Sequence, residues 1–207
     1  MEKMVMKMKK SMFMFCAGLL LLGWLFAPEF PGAGCPAVVS AKVSSRTKRK
    51  AAAAYREFMD GTDYTWFCTL DVDKDGMKEL LVAYEQRPER ILLVYKYRRG
   101  YVQRIGEDST TFGLVYSKKT KRIHGRWGGS GSVEDWYLTF KGGEARRVYL
   151  SKIEERVVNG RPVYGYYYNG RRISAKSYRR KKNSWNKSYV QLPMNRTSWA
   201  NINRYIR

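Results

Sequence analysis

The stretch RVVNGRPVYGYYYNGRRIS, residues 156–174, holds two Asn-Gly pairs, each set between apolar, β-branched or aromatic side chains. A two-residue type I′ turn needs positive φ at both central residues, which Asn-Gly adopts at little cost, so each pair predicts a tight antiparallel hairpin. Side chains alternate across a strand, which puts Tyr164, Tyr166 and Tyr168 on one face and Tyr167 on the other. One set is expected in the core and the other exposed.

The same pattern runs upstream. TWFCTLDVD (65–73) alternates with Trp66, Cys68, Leu70 and Val72 on one side, and ELLVAYEQ (79–86) and RILLVYKYRRGYVQRIGE (90–107) continue it around an Arg-Arg-Gly turn. FGLVYSKKTKRIHGRW (112–127) and DWYLTFKGGEARRVYLSKIEE (135–155) add turns at Lys118-Lys119-Thr120 and Gly142-Gly143. Residues 63–173 thus read as an antiparallel meander of seven to nine strands. Ahead of it, Ala51, Ala54, Tyr55 and Phe58 recur at three- and four-residue spacing, with Ser44 and Ser45 as capping hydroxyls and Gly61 as a stop, predicting a helix over 46–59. After Ile173, a serine start and a basic body predict a short helix in a basic tail, 174–207, with another turn or two in TSWANINRYI. The expected class is α+β: an N-terminal helix packed on the meander, and a short C-terminal helix.

A chain of 207 residues with 44% hydrophobic content suits one core, so 42–207 reads as a single domain. Residues 1–41 read as a leader, because lysines at 3, 7, 9 and 10 precede an apolar run from Met12 to Ala27. Three fates stay open: cleavage near Ala41 behind Val39-Ser40, lipidation of Cys35 in the partial lipobox Gly32-Ala33-Gly34-Cys35, or a retained anchor. Each places the domain outside the cytoplasm, secreted or associated with the envelope. Only Cys68 falls in the domain, where it reads as a small apolar residue on a buried strand.

The formal charge is +22, and loss of the leader removes four lysines and two acids, leaving +20. From 141 to 207 there are 17 bases against three acids, so the charge gathers late in the chain. Such a surface attracts anionic cell-wall polymers, acidic glycans or a membrane surface. The alternative is a generally basic, solvated surface. Arg171, Arg172, Arg179, Arg180, Lys181 and Lys182 are the candidate polymer-binding residues, beside tyrosines that can stack on sugars. A leader directs the chain away from cytoplasmic nucleic acid.

DVDKDGMKELLV, residues 71–82, sets acids at every second position before a glycine and a glutamate. Calcium takes six to eight oxygens at about 2.3–2.6 Å, so these carboxylates must converge. Gly76 permits the curl, and Asp71, Asp73, Asp75, the Met77 carbonyl and Glu79 form the candidate ligand set. Val82 stands where an EF-hand has its bidentate glutamate, and the residues after the loop favour a strand, so the arrangement is not an EF-hand. The competing reading is a metal-free turn whose acids pair with Lys74 and Lys78. The pattern D-x-D-x-D-G-x-x-[DE] is similar to the inter-strand calcium loops of FG-GAP and VCBS repeats. TLDVDKDGMKELLVAY (69–84), with the hairpin Tyr167-Tyr168-Asn169-Gly170-Arg171-Arg172-Ile173-Ser174, resembles a group of small secreted proteins and lipoproteins of Gram-positive gut bacteria. The resemblance implies a calcium site and an extracytoplasmic location, and no activity. One acidic loop is too few for the blades of a propeller.

Other chemistry is thinly represented. Cys68 and His124 are the only members for a thiol pair or a zinc site. RWGGSGSVEDW (126–136) lacks a phosphate-loop Lys-Ser/Thr and reads as a connection whose rims, Arg126, Trp127 and Trp136, can meet a ligand. Glu134 and Asp135 are adjacent and face opposite ways on a strand, which disfavours glycoside cleavage. The leading expectation is a non-enzymatic, calcium-stabilised domain on the anionic envelope; the alternative is an extracellular hydrolase or glycan-binding accessory domain.

Overall fold

The computed structural model describes residues 43–207 apart from Gly142 and the side chains of Trp185 and Asn186. The leader reading, with Cys16, Cys35 and the sites near Ala41, lies outside the described residues. Among the described residues no helix is long and apolar enough to cross a membrane.

Helix α1, Ser45–Asp60, starts where the Ser44 hydroxyl accepts the Thr47 amide N–H and stops at Gly61. It buries Ala51, Ala52, Tyr55 and Met59 on one stripe. That stripe meets the first sheet, order β12-β1-β2-β3-β4, built from Asn195–Arg196, Trp66–Leu70, Glu79–Gln86, Glu89–Arg98 and Tyr101–Thr110. Strands β2 and β3 are apolar on both faces, as a central layer requires. Leu80, Val82, Ile91, Leu93 and Tyr95 face α1 and helix α3, Trp199–Tyr205. Leu81, Leu92 and Val94 face the other way, into a second core.

That second core lies between the two sheets. The second sheet, order β10-β9-β8-β7-β6-β5-β11, comprises Arg171–Ile173, Arg161–Tyr168, Glu144–Val158, Ser132–Lys141, Ile123–Gly129, Leu114–Tyr116 and Val190–Gln191. Trp136 and Leu138 on β7, Ile123 on β6, and Leu114 and Tyr116 on β5 meet Cys68, Leu81 and Leu92. The Trp136 ring lies flat against the bare backbone of Gly125, where a Cβ would fall inside the ring. Helix α2, Ala175–Asn186, packs its Tyr178 on the outer face of this sheet, near Tyr166.

The class is α+β, with antiparallel strands and helices at both ends of the described chain. Among the described residues the strands number twelve in two sheets, ten of them within 63–173, where seven to nine in one meander were expected. The break comes after β4, where Gly113 takes φ +103 and the Thr110 hydroxyl donates to the Arg126 and Gly113 carbonyls. Strands β10, β11 and β12 are two or three residues long, too short to leave a period in the sequence. The Asn-Gly turns form as read, with φ of 50° and 74° at Asn159-Gly160 and 47° and 74° at Asn169-Gly170. Tyr164, Tyr166 and Tyr168 share a face opposite to Tyr167, but none of the four is buried.

Candidate functional site

The acidic stretch links β1 to β2 and curls as Gly76 allows, with φ of 86° there and 67° at Lys74. Each of three acids uses one oxygen to brace the loop. Asp73 Oδ1 accepts the Asp75 N–H at 3.2 Å, Asp75 Oδ1 the Met77 N–H at 2.9 Å, and Glu79 Oε2 the Val72 N–H at 2.9 Å. The second oxygen of each points to one place, and the Lys96 ammonium fills it. Lys96 Nζ bonds Asp73 Oδ2, stands 2.6 Å from Asp75 Oδ2 and 3.2 Å from Glu79 Oε1. The last contact is an ion pair with the fully buried Glu79 carboxylate.

Burial sets the electrostatics. Glu79 is fully buried, and that desolvation pushes its carboxyl up to about 7 against the pull of Lys96. Burial also works against the Lys96 cation, but the Asp73 and Asp75 carboxylates outweigh it and raise its pKa. Asp75 is lowered: desolvation opposes, while Lys96 and the Met77 N–H prevail.

Of the predicted ligands, Asp71, Asp73 and Glu79 form a group that can hold a metal ion, with oxygens all within 4.8 Å of one another. Oxygens sharing a cation at about 2.3–2.6 Å lie no more than about 4.6–5.2 Å apart, so the spacing fits. Asp71 Oδ1 is buried and has no hydrogen-bond partner. Asp75 stands outside this group, and Met77 gives its side chain to the core against α1. Lys74 and Lys78 make no ion pair with a described carboxylate; the partner is Lys96, which the sequence reading missed. The signal was present: by alternation Lys96 shares the inward face of Leu92 and Val94, where a lysine needs a carboxylate.

The predicted cationic residues gather on β10 and α2. Arg171, Arg172, Arg179, Arg180 and Lys181 are exposed, and none makes an ion pair with a described carboxylate. Lys182 is half-buried. Lys181 Nζ lies 4.5 Å above the Tyr168 ring and Lys182 Nζ 6.0 Å above Tyr178. After Glu155 the last 52 residues carry 13 bases and no acid.

Residues 126–136 pair as strands β6 and β7, which takes Trp136 away from any rim while Arg126 stays partly exposed. Trp136 is 0% exposed in the inter-sheet core. The Trp127 indole N–H donates to Glu89 Oε1 at 2.9 Å, tying the two sheets together. Arg126 pairs with buried Asp135 at 2.7 and 3.2 Å, and Asp135 also accepts from Ser151 Oγ at 2.7 Å and Tyr178 OH at 3.3 Å. Cys68 is buried in the inter-sheet core, its thiol pushed up to about 12 by desolvation. His124 points to the opposite face of its sheet, under Tyr189, and burial lowers it to about 4. They form no pair. No known family model, curated protein or solved structure matches this chain.

Proposed function

We propose that this chain is an exported, non-enzymatic domain that attaches to anionic polymers or lipid of the cell envelope through the face built from β10 and α2. The observation that supports the reading is the acid-free run after Glu155, with Arg171, Arg172, Arg179, Arg180 and Lys181 exposed and making no ion pair with a described carboxylate. Stable folds usually neutralise or disperse such charges, because crowded like charges repel through a low-dielectric surface. The acidic loop is proposed as a clasp with two alternative counter-ions, the Lys96 ammonium and Ca2+. Four carboxylates against one ammonium leave an excess of negative charge, and hard oxygen donors suit calcium.

Binding of the protein to teichoic acid, heparin and vesicles at two salt concentrations tests the reading. Attraction between exposed charges is screened over about 8–10 Å at physiological salt, so affinity should fall steeply as salt rises. Reversal of Arg171, Arg172, Arg179 and Arg180 to glutamate should weaken it more than reversal of Lys118 and Lys119. Binding that ignores both salt and these substitutions would show the charge to be a solvated surface.

A further inference from the structure

We infer that the tip of the β8–β9 hairpin is an arm that enters an anionic lipid surface, an inference that rests on the cationic-face reading above. The two strands outrun their neighbours. Strand β7 pairs with β8 only as far as Glu154, opposite Ser132, and β10 covers only Tyr166, Tyr167 and Tyr168 of β9. Beyond these the pairs Arg156↔Val163, Val157↔Pro162 and Val158↔Arg161 continue alone to the Asn159-Gly160 turn. Every residue from 155 to 164 is exposed.

Both faces of the ribbon expose apolar side chains, with Arg156 and Arg161 opposite the valines on one of them. Val157 is 71% exposed and Val158 51%, with Val163 at 46% and Tyr164 at 47%. Residues opposite one another share a face, so Val157 lies with Pro162 on one side and Val158 with Val163 on the other. A two-stranded ribbon alone in water is marginal, and valine on both faces leaves it no core to pack on. A surrounding apolar medium would bury both faces at once. Three residue pairs at about 3.4 Å project about 10 Å, comparable to the ~5–10 Å to which interfacial elements enter a bilayer.

Charge selects anionic lipid over a second copy. Among the described residues Arg161 makes no ion pair and Arg156 reaches only Glu154 at 2.8 Å, and with 40 bases against 18 acids two copies of the chain repel one another. The Arg156 guanidinium, at the third pair from the turn, meets phosphate headgroups at the base of an inserted tip and binds them in bidentate fashion, while Arg161 beside the turn reaches back to them along its apolar stem. Pro162 has no N–H to offer, the kind of residue that blunts a free strand edge against an added strand.

The test uses the full chain with Cys16→Ser and Cys35→Ser, leaving Cys68 buried, and an environment-sensitive fluorophore on Arg161→Cys or, separately, on Lys119→Cys. Vesicles are equal parts phosphatidylglycerol and phosphatidylcholine, or phosphatidylcholine alone. On the mixed vesicles the probe at 161 should shift to the blue and be quenched by lipid-borne quenchers, while the probe at 119 stays in water. The leader's own lipid affinity raises all variants alike, so the readout sits on the arm. Val157→Asp with Val158→Asp, both on exposed positions and checked by an unchanged melting curve, should remove the shift and lower partitioning on the order of tenfold. A probe at 161 that stays in water on bound protein overturns the arm and leaves the cationic face standing. No preference for the mixed vesicles, with binding to teichoic acid retained, also overturns the arm; loss of both overturns the cationic-face reading itself. A blue shift that grows with protein concentration without lipid overturns the choice of lipid in favour of a second copy.

Discussion

Replacing Lys96 by Met keeps the straight apolar stem and deletes only the ammonium. Its side chain is 5% exposed and serves three carboxylates, of which Glu79 is 0% and Asp73 12% exposed. Removing one partner of a buried ion pair costs about 3–5 kcal/mol, because the charges left behind stay desolvated. Glu79 can relieve part of this by taking a proton, which its raised pKa of about 7 makes easy near neutrality. In chelator, Lys96→Met should therefore melt lower than the parent by about 6–20 °C, at roughly 2–4 °C per kcal/mol for a domain of this size. Calcium should then restore part of the loss. At about 2 mM free ion and a Kd of about 10⁻⁴–10⁻³ M, the linkage term RT ln(1 + [L]/Kd) is about 0.7–1.8 kcal/mol. The parent should gain less, since its ammonium must leave first. Thermal melts of both proteins in chelator and in calcium decide the matter. Equal melting in chelator would remove Lys96 as the counter-ion; equal calcium response would remove the competition.

Two further outcomes follow from burial. Glu79 titrates near 7 folded against 4.5 free, so between those values the folded protein keeps a proton the unfolded one releases, and stability falls as pH rises. His124 is near 4 folded against 6.5 free, so its contribution falls as pH drops from 6.5 to 4. Each slope is worth at most about 3 kcal/mol and they oppose, so the parent in chelator should be nearly level across the overlap. Denaturant titrations should find that Glu79→Gln steepens the loss toward acid and His124→Gln the loss toward neutral pH; unchanged slopes in both variants refute the assignment. Gly125→Ala drives a methyl into the Trp136 ring and should cost about 1–3 kcal/mol or more. Gly61→Ala, at φ −94 with its nearest neighbour 4.0 Å away, should be neutral or slightly stabilising in the same unfolding assay.

Local rules were legible and long-range ones were not. Helix α1 could be read because its cap, its stripe and its stop lie within one short segment, and the Asn-Gly hairpins because turn geometry is a property of two residues. The partition into two sheets depends on Gly113 and on the Thr110 hydroxyl reaching Arg126, sixteen residues away. No period records that contact. The acidic loop was legible as convergence, since Gly76 and the alternating acids dictate it, but not as to what they converge upon. Lys96 is 23 residues from Asp73 and sits in a strand read only for its apolar members. Trp136 misled for the opposite reason. At the end of a glycine- and serine-rich stretch it looked like the rim of a loop, whereas Gly125 is small because the indole needs its space.

The cationic face depends on one carboxylate of the opposite sign beneath it. Helix α2 carries Lys176, Arg179, Arg180, Lys181 and Lys182 and no acid, so it lacks the i,i+4 ion pairs that support a short helix and suffers like-charge neighbours instead. A helix of 12 residues with that composition is not stable alone. What holds it is the Ser174 hydroxyl accepting the Ser177 N–H at 3.2 Å, and Tyr178, 3% exposed, packed against Tyr166. The Tyr178 hydroxyl reaches Asp135, which also takes Arg126 and Ser151. Asp135 therefore neutralises the half-buried Arg126 guanidinium and anchors the helix in the same act. Lys176, Arg179 and Arg180 take no part in this attachment, whereas Lys181 and Lys182 lean over Tyr168 and Tyr178, and a polyanion or headgroup that neutralised the outer cations would remove the repulsion that opposes docking. If the proposed ligand binds there, its binding and the docking of α2 would reinforce one another, independently of the acidic clasp at Lys96 on the other sheet.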